Sequence, residues 1–391
     1  MKLNKFNVIT SLILTHFISS AYATDDKAKA NVNFDLRYEA VSQDNTKKDA
    51  DALTLRTKLQ FTSASVNHFN AVVEFEDSRV VAGVDDYNNT LGKNTDYSVI
   101  ADPETTELDQ GFIQYQDQGI NVKVGRQVLI FDNHRFVGHV GWRHDKQTFD
   151  AFSINYQLSK SLQLNYAFID KRNRIFSDQK DLAAKDHLIN VSYNSEVGKI
   201  TAYSYLLAVD EGIDNGLDTY GVRLAGKKGK FPYVFEFAKQ SAETAANDFD
   251  ANYFKAELGY AFDKLTVKLG GESLGSDGGD YGFTTPLATL HKFNGWSDQF
   301  LATPKQGLQD VYASINGKAY GGGWKLVWHD FSAKQRLSGD DDLGTEINAQ
   351  YSKAITKQYT VGIKYASYSA GDSVFAKVDT DKLWLWLNAK F

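Results

Sequence analysis

The 391-residue chain is predicted to have an all-β fold, a transmembrane antiparallel β-barrel of about 18 strands. Apolar and polar residues alternate with period two along most of its length. It contains 21 Tyr and 25 Phe, which favour strands, against only 4 Pro, which interrupt them. Short turns alternate with long polar loops. Together these patterns predict strands that separate an apolar medium from water.

The N-terminal segment has the pattern of a secretory signal. Lys2 and Lys5 precede an apolar stretch over residues 6–17, and Ala21-Tyr22-Ala23 follows as a small-x-small cleavage pattern. The stretch is too short to span a bilayer as a helix. We therefore predict a signal peptide over residues 1–23 and a single barrel domain over residues 24–391.

The strands are assigned from runs of alternation bounded by turn residues. In residues 52–62, for example, Leu53, Leu55 and Leu59 alternate with Arg56 and Lys58. The predicted strands are residues 31–41, 52–62, 67–79, 105–117, 119–130, 146–157, 161–172, 185–194, 199–209, 217–227, 230–240, 251–262, 264–275, 307–320, 323–332, 343–354, 357–369 and 381–391.

The last of these segments favours a membrane barrel. Leu383, Leu385 and Phe391 alternate there with Trp384 and Trp386, so one face of the final strand is fully apolar. A closed barrel pairs its last strand with its first, and an outer-membrane barrel needs one face in lipid. In a soluble β-sandwich the same face would pack on a second sheet.

The connections predict the orientation. Long polar loops are expected at residues 80–104, 131–145, 173–184, 276–306, 333–342 and 370–380, with tight turns between them. Outer-membrane barrels have short periplasmic turns and long extracellular loops, and an even strand count returns both termini to the periplasm. The predicted location is therefore the bacterial outer membrane.

Composition excludes several classes of function. The chain has no Cys and a net charge of −6, which becomes −8 without Lys2 and Lys5, so neither a thiolate site nor a nucleic-acid partner is expected. Alternation places Arg56 and Arg223 in the lumen as candidates for solute contact. The charges assigned to the lumen are nearly balanced and predict only a mild anion preference. They are eleven basic residues (Arg37, Arg56, Lys58, Lys123, Lys171, Arg223, Lys255, Lys268, Lys318, Lys325, Lys364) and nine acidic residues (Asp35, Glu39, Glu74, Glu76, Glu236, Glu257, Glu272, Asp310, Glu346).

The loop at residues 131–145 holds three of the eight histidines and is too aromatic for a freely solvated loop. We expect it to fold into the barrel and narrow the pore. His134, Arg135, Arg143 and His144 are predicted to give the constriction positive or titratable charge, and Trp142 to contact solute. No carboxylate or cysteine spacing typical of a metal site accompanies the histidines, so no metal is predicted.

A second aromatic and polar segment lies at residues 291–300. Trp296 and Asp298 are candidates for stacking on and hydrogen bonding to a solute. A packed plug that stabilises the rim is an equally good reading of this segment.

Arg126 and Asp150 break the alternation, because each shares the parity of apolar residues on its strand. If the hairpin axis passes through residue 138, the two are direct cross-strand neighbours, since their numbers sum to 276. We predict an ion pair turned into the lumen by a bulge or twist near Gly125. The alternative is that the strands end earlier and both residues lie in the polar rim.

Several motifs resemble those of one family. The segments 125–127, 135–138, 142–143 and 148–150 resemble the signature of the alginate-export family of outer-membrane porins, and residues 291–310 resemble a second block of that family. The resemblance implies an 18-stranded monomeric barrel for passive diffusion, with a carboxylated polysaccharide as cargo in the best-known members. The nearly balanced lumen favours small solutes or oligosaccharides instead.

The predicted function is a channel for passive diffusion of small hydrophilic or organic solutes or oligosaccharides, with selectivity set by inward loops. Outer-membrane lipid and solute are the expected partners, and no cofactor or enzyme activity is expected. One alternative is an outer-membrane hydrolase with a site at the barrel mouth, for which His187 and His329 have no assignable partner. The other is a soluble secreted carbohydrate-binding β protein.

Overall fold

The computed structural model describes residues 27–210 and 215–391, so the predicted signal peptide at 1–23 lies outside the described residues. Within these ranges there are 3-10 helices at Asp178–Lys180, Leu290–Lys292 and Ser373–Phe375, and no helix there is long and apolar enough to cross a membrane. The strands are β1 (Lys29–Gln43), β2 (Ala50–Thr62), β3 (Phe69–Asp86), β4 (Thr105–Asp117), β5 (Ile120–Gln127), β6 (Thr148–Gln157), β7 (Leu162–Asn173), β8 (Leu182–Ser195), β9 (Gly198–Leu207), β10 (Gly216–Lys228), β11 (Phe231–Glu243), β12 (Asp248–Ala261), β13 (Leu265–Leu274), β14 (Ser276–Asp277), β15 (Tyr281–Gly282), β16 (Leu308–Ala319), β17 (Gly322–Leu337), β18 (Asp340–Ala354), β19 (Tyr359–Ser369) and β20 (Thr380–Lys390).

All strands except β14 and β15 form one closed antiparallel sheet of 18 strands. Each pairs with its neighbours along the chain, β13 pairs with β16, and β20 pairs with β1 through the register Leu36 to Leu387. The two-residue strands β14 and β15 form a separate small hairpin. The predicted all-β barrel with 18 strands is confirmed.

The outer face of the barrel is an apolar band. Ile113 is 59% exposed, Leu258 57% and Leu269 64%, whereas their neighbours along each strand face the lumen and are less exposed. Exposed apolar side chains repeated around a closed sheet match the lipid-facing belt of a membrane barrel. On β20, Trp384 is fully buried and Leu385 is exposed, as the alternation predicted.

The connections alternate in length as predicted, with two differences. The loop predicted at 80–104 begins only at residue 87, because β3 continues to Asp86. Long loops at 87–104, 128–147, 275–307 and 370–379 emerge from one rim, and the turns at 118–119, 229–230 and 320–321 lie on the other. The long loop predicted at 333–342 is wrong. There β17 and β18 continue outward and meet at Ser338 and Gly339, which have φ of 58° and 101°. Period-two alternation fades where a hairpin leaves the bilayer, because both of its faces then meet water.

Two loops fold into the barrel and fill much of it. We call residues 128–147 the first inner loop and residues 275–307 the second inner loop. The largest apolar core of the described residues lies where they meet the wall, and it includes Val137, Phe283, Leu287, Phe300 and the wall residue Tyr253. The predicted inward folding of the first loop is therefore present, and the two loops define the space left for solute.

Candidate functional site

Arg135 ties the two inner loops to the wall. Its Nε lies 2.8 Å from Glu272 Oε1 of β13, its Nη1 donates to Thr285 at 3.1 Å and its Nη2 to Asn294 Oδ1 at 3.3 Å. The side chain is 1% exposed. Arg135 was predicted to charge the constriction, but its charge is enclosed and compensated, so it holds the loops in place.

Arg143 is a second enclosed anchor. Its Nη1 lies 2.8 Å from Glu39 and 3.3 Å from Asp102, and its Nη2 lies 3.4 Å from Asp298. Asp102 also pairs with Arg37. Burial alone would raise the pKa of Asp102, but Arg37 and Arg143 hold it well below the usual carboxyl range. Arg143 thus joins β1, the 87–104 loop and the second inner loop.

The histidines of the first inner loop have pKa values below the ordinary imidazole value. His144 is buried, contacts Thr54 Oγ1 at 2.7 Å through Nε2, and donates its backbone N–H to Asp102 Oδ1 at 2.9 Å. Burial lowers its pKa well below the ordinary value, and burial with the charge of Lys292 lowers that of His134. We predicted titratable charge at these positions; desolvation removes it, because nearby carboxylates already pair with arginines.

Arg56 also supports the loop. It pairs with Asp35 at 3.1 Å and Glu76 at 3.8 Å, and its Nη1 donates to the carbonyl oxygens of Arg143 and His144 at 3.2 and 3.3 Å. Its side chain is 10% exposed. The arrangement fixes loop backbone and leaves little of Arg56 for solute.

The second inner loop is pinned by charged groups at its centre. His291 Nδ1 lies 2.6 Å from Asp298 Oδ1, and Lys382 Nζ lies 2.8 Å from Asp298 Oδ2. Burial would raise the pKa of Asp298, but His291 and Lys382 hold it well below the usual range. Glu346 of β18 accepts the backbone N–H of Trp296 and of Ser297. Of the two readings left open for this segment, these contacts favour the packed plug at Asp298.

Trp142 and Trp296 enclose a lysine. Lys364 Nζ lies 4.3 Å from the Trp142 ring, 4.1 Å from Trp296 and 5.2 Å from Trp384, which are cation–π distances. It also lies 2.6 Å from His291 Nε2. Both predicted solute-contact tryptophans therefore pack against a lysine side chain of the protein itself.

A cavity of about 470 Å³ remains between the second inner loop and the wall from β10 to β17. Five basic residues line it against three acidic ones, and three aromatic rings complete the lining. The basic residues are Arg223, Lys255, Lys268, Lys292 and Lys325, the acidic ones Glu257, Glu272 and Asp310, and the rings Phe293, Trp296 and Tyr312. Of the predicted solute-contact residues, Arg223 and Trp296 line this cavity, although Glu236 pairs with Arg223 at 3.3 Å.

Two lysines of this cavity have no carboxylate partner. Among the described residues, no carboxylate forms a salt bridge with Lys292 or Lys325, whereas Glu257 pairs with Lys268 at 2.8 Å. Lys292 donates to the Asn133 carbonyl at 2.9 Å, and Lys325 lies 5.6 Å from the Trp296 ring. Burial and the charges of Lys255 and Arg223 lower the pKa of Lys292. The cavity therefore has excess positive charge.

Arg126 and Asp150 stand opposite each other, with Nε 2.7 Å from Oδ1. However, their chain neighbours Gln127 and Phe149 are fully buried on the luminal face. Because successive residues of a strand alternate between faces, the pair lies on the outer face, with the exposed Val124 and Phe152. The predicted inward turn is thus corrected: the pair lies on the outer-face parity, one or two residues from the strand ends. It is stable there because the Leu108 carbonyl at 3.0 Å and the Asn173 amide at 3.0 Å complete its hydrogen bonds.

Residues 27–269 match the family model described as alginate export. The chain belongs to the alginate export family. The resemblance predicted from the sequence is confirmed, and none of the curated proteins compared with the chain matches it.

Solved structures extend the fold likeness over the whole barrel of this alginate export family member. OccAB4 of Acinetobacter baumannii is 13% identical with a TM-score of 0.74, covering 95% of this chain and 100% of its own. OccAB1 of the same organism is 14% identical with a TM-score of 0.71, covering 95% and 99%. OpdK of Pseudomonas aeruginosa, solved with vanillate, is 12% identical with a TM-score of 0.66, covering 93% and 98%.

Family and barrel architecture agree on location and class. The closed 18-stranded sheet has the apolar outer belt that lipid requires, and the family match covers β1 to β12 and the first half of β13. The predicted outer-membrane location and the predicted class of diffusion channel are confirmed. The soluble secreted protein considered as an alternative is wrong, because such a belt cannot face water.

Proposed function

We propose that the channel prefers small organic anions, and in particular carboxylates with an apolar or aromatic body. The observation that carries this proposal is the cavity beside the second inner loop, where Lys292 and Lys325 have no carboxylate partner. Counting all lining charges gives five positive and three negative groups, a net charge of +2. Water is partly excluded there, so the excess charge attracts anions more strongly than it would in bulk solvent.

The rings of the cavity supply the second half of the recognition. Phe293 and Tyr312 lie beside the lysines, with Lys255 Nζ 5.7 and 5.2 Å from the two ring centres. A flat apolar body can pack against such rings while its carboxylate approaches a free ammonium group. Vanillate, seen with OpdK, is a carboxylate of this shape, and the fold shared with that protein is consistent with the proposal.

The inner loops support small solutes over a polymer. Arg135 and Arg143 hold the first inner loop across the lumen, and Asp298 and Glu346 hold the second. The predicted constriction residues His134, Arg135, Arg143 and His144 would then set the bore by positioning the loop backbone, and the cavity residues would set the sign of selectivity. A polysaccharide would have to displace both anchored loops.

We also propose that the barrel is a monomeric, non-enzymatic protein without a nucleic-acid partner. Its lumen is closed by strands of one chain, and its net charge of −6 opposes binding to a polyanion. The hydrolase alternative is disfavoured because His187 contacts Tyr166 at 3.0 Å and His329 contacts Asp310 at 2.9 Å, and neither contact includes an activated nucleophile.

The test is block of single-channel current by benzoate in a planar bilayer. Lys292→Gln with Lys325→Gln should weaken benzoate block at least about tenfold, because a hydrogen bond to a charged group contributes about 1.5–3 kcal/mol. Lys357→Gln, at an exposed lysine in the turn between β18 and β19, removes the same charge away from the lumen and should leave the block unchanged. Equal block in the double variant and the wild type would refute the proposal.

A further inference from the structure

We infer that the lumen contains a second binding site, without Lys or Arg in its lining, for neutral polyhydroxylated solutes such as short oligosaccharides. It is a cavity of about 710 Å³ at the end of the barrel that carries the short turns. Amide side chains dominate its lining: Asn70, Gln116, Gln118, Asn121, Asn155 and Gln157. Its volume lies within the range of about 300–1,000 Å³ that is typical of small-molecule sites.

Three of these amides, Gln116, Asn121 and Asn155, belong to a continuous row of amides across the five strands β4 to β8. Gln116 of β4 is opposite Asn121 of β5, which is opposite Asn155 of β6. Asn155 is in turn opposite Asn165 of β7, which is opposite Asn190 of β8. Because residues in register share a face of the sheet, the row presents amides to one side. Asn190 is buried, and other members of the row line the cavity, so this side of the sheet faces the lumen.

One end of the row is fixed by the protein. Asn155 Nδ2 donates to Asn165 Oδ1, and Asn165 Nδ2 donates to Asn190 Oδ1 at 3.3 Å. Asn190 Nδ2 then donates to Asp132 of the first inner loop at 2.9 Å. These bonds orient the amides of β6 to β8 and connect the row to the loop that narrows the pore.

The other end of the row is open for a ligand. Among the described residues, neither Asn70 nor Asn121 makes a side-chain hydrogen bond, and Asn121 Oδ1 is buried without a partner. A buried carbonyl oxygen without a donor costs free energy unless water or a ligand supplies one. Both residues line the cavity, and they lie on β3 and β5, the two neighbours of β4, so a solute there would find free donors and acceptors on both sides of that strand.

The chemistry of the lining points to hydroxyl groups. An amide offers both donors and an acceptor, and a hydroxyl group can meet either. The titratable groups in the lining are Asp117 and His68, 3.6 Å apart, and neither Lys nor Arg is present there. The lining thus lacks the excess of basic residues that would favour an anion. The site therefore differs in ligand class from the basic cavity near Lys292.

The experiment compares block by maltotriose, a neutral glucose trisaccharide, with block by benzoate. The variant is Asn70→Leu with Asn121→Leu, which keeps the side-chain volume and removes the free amides. Since neither side chain has a protein partner to lose, folding should be preserved, as checked by heat-modifiable gel mobility. Asn247→Leu, in an exposed turn at the opposite end of the barrel, is the matched control.

We expect the double variant to weaken maltotriose block at least about tenfold, the effect of losing two ordinary hydrogen bonds, with benzoate block unchanged. The Lys292 and Lys325 variants should show the reverse pattern. No maltotriose block in the wild type, or equal block in a folded double variant, would overturn the site. Calorimetric titration of maltotriose into the detergent-solubilised wild type and double variant measures binding without any ion current. If the protein does not conduct, the proposed channel function fails, but the calorimetric result still tests this site.

Discussion

Arg143→Met should release the first inner loop while the barrel itself remains folded. Arg143 is 6% exposed and contacts Glu39, Asp102 and Asp298 on three different segments. Methionine keeps much of the volume and removes the charge. Because the strands are held by their own ladders, we expect the change to act on the loop and not on the wall.

The free-energy cost of replacing Arg143 depends on which carboxylates lose their only salt-bridge partner. Asp102 keeps Arg37, and Asp298 keeps His291 and Lys382. Among the described residues, Glu39 forms a salt bridge with Arg143 alone, so the substitution leaves that carboxylate buried and uncompensated. Removing one partner of a buried pair costs about 3–5 kcal/mol, and the remaining partners place this case near the lower end. The double variant Arg143→Met with Glu39→Gln should be less destabilised than Arg143→Met alone, because no buried carboxylate is then left without a partner.

The assays are hydrogen exchange of residues 128–147 and single-channel conductance in planar bilayers. The variant should show faster exchange throughout the loop and a larger, noisier conductance, because the loop no longer stays across the lumen. Arg336→Met, which removes an exposed arginine paired with Asp341, is the matched control. Unchanged exchange and conductance in a folded Arg143→Met barrel would refute the anchoring role.

Three further predictions concern pH, the outer ion pair and topology. Burial and the nearby Glu107 raise the pKa of Asp145 to about 9, whereas an unfolded carboxyl loses its proton near pH 4. The folded loop keeps this proton between the two pH values, so loop stability should fall as pH rises from about 4 to about 9. Hydrogen exchange should show this dependence in the wild type and not in Asp145→Asn. Asp150→Ala should lower the yield of folded barrel and leave the reversal potential unchanged, since the pair is on the outer-face parity; a changed reversal potential would contradict that position. A peptide tag at Gly278 should be labelled on intact cells and one at Gly229 should not, because these open positions lie on opposite rims; the reverse pattern would invert the orientation.

The strands could be predicted from the sequence because the environment imposes their pattern. Lipid on one side and water on the other force period two along every strand, as in Leu53, Leu55 and Leu59. The pattern failed only where this contrast disappears. The pattern missed the extension of β17 and β18 toward Ser338. It also predicted that Arg126 and Asp150 face the lumen, although an ion pair on the outer face is tolerated near strand ends.

The roles of the inner-loop residues could not be predicted in the same way. Arg143 and Glu39 are 104 residues apart, and Arg135 and Glu272 are 137 residues apart. Nothing in local periodicity shows which carboxylate meets which arginine. The count of luminal charges from alternation omitted the buried Arg172, Asp186 and Lys382, and its near balance hid a separation: the arginines are enclosed with carboxylates, and Lys292 and Lys325 are left in the cavity. The part played by Asp102 had no signal beyond its place in a polar loop.

The most direct test of the proposed function is the reversal potential of the wild-type channel in a planar bilayer under a tenfold KCl gradient. Excess positive charge in the cavity predicts a reversal potential whose sign shows that chloride permeates more readily than potassium. The double variant Lys292→Gln with Lys325→Gln should move this potential toward zero. A cation-selective channel, or an anion preference that persists in full in this variant, would contradict the account.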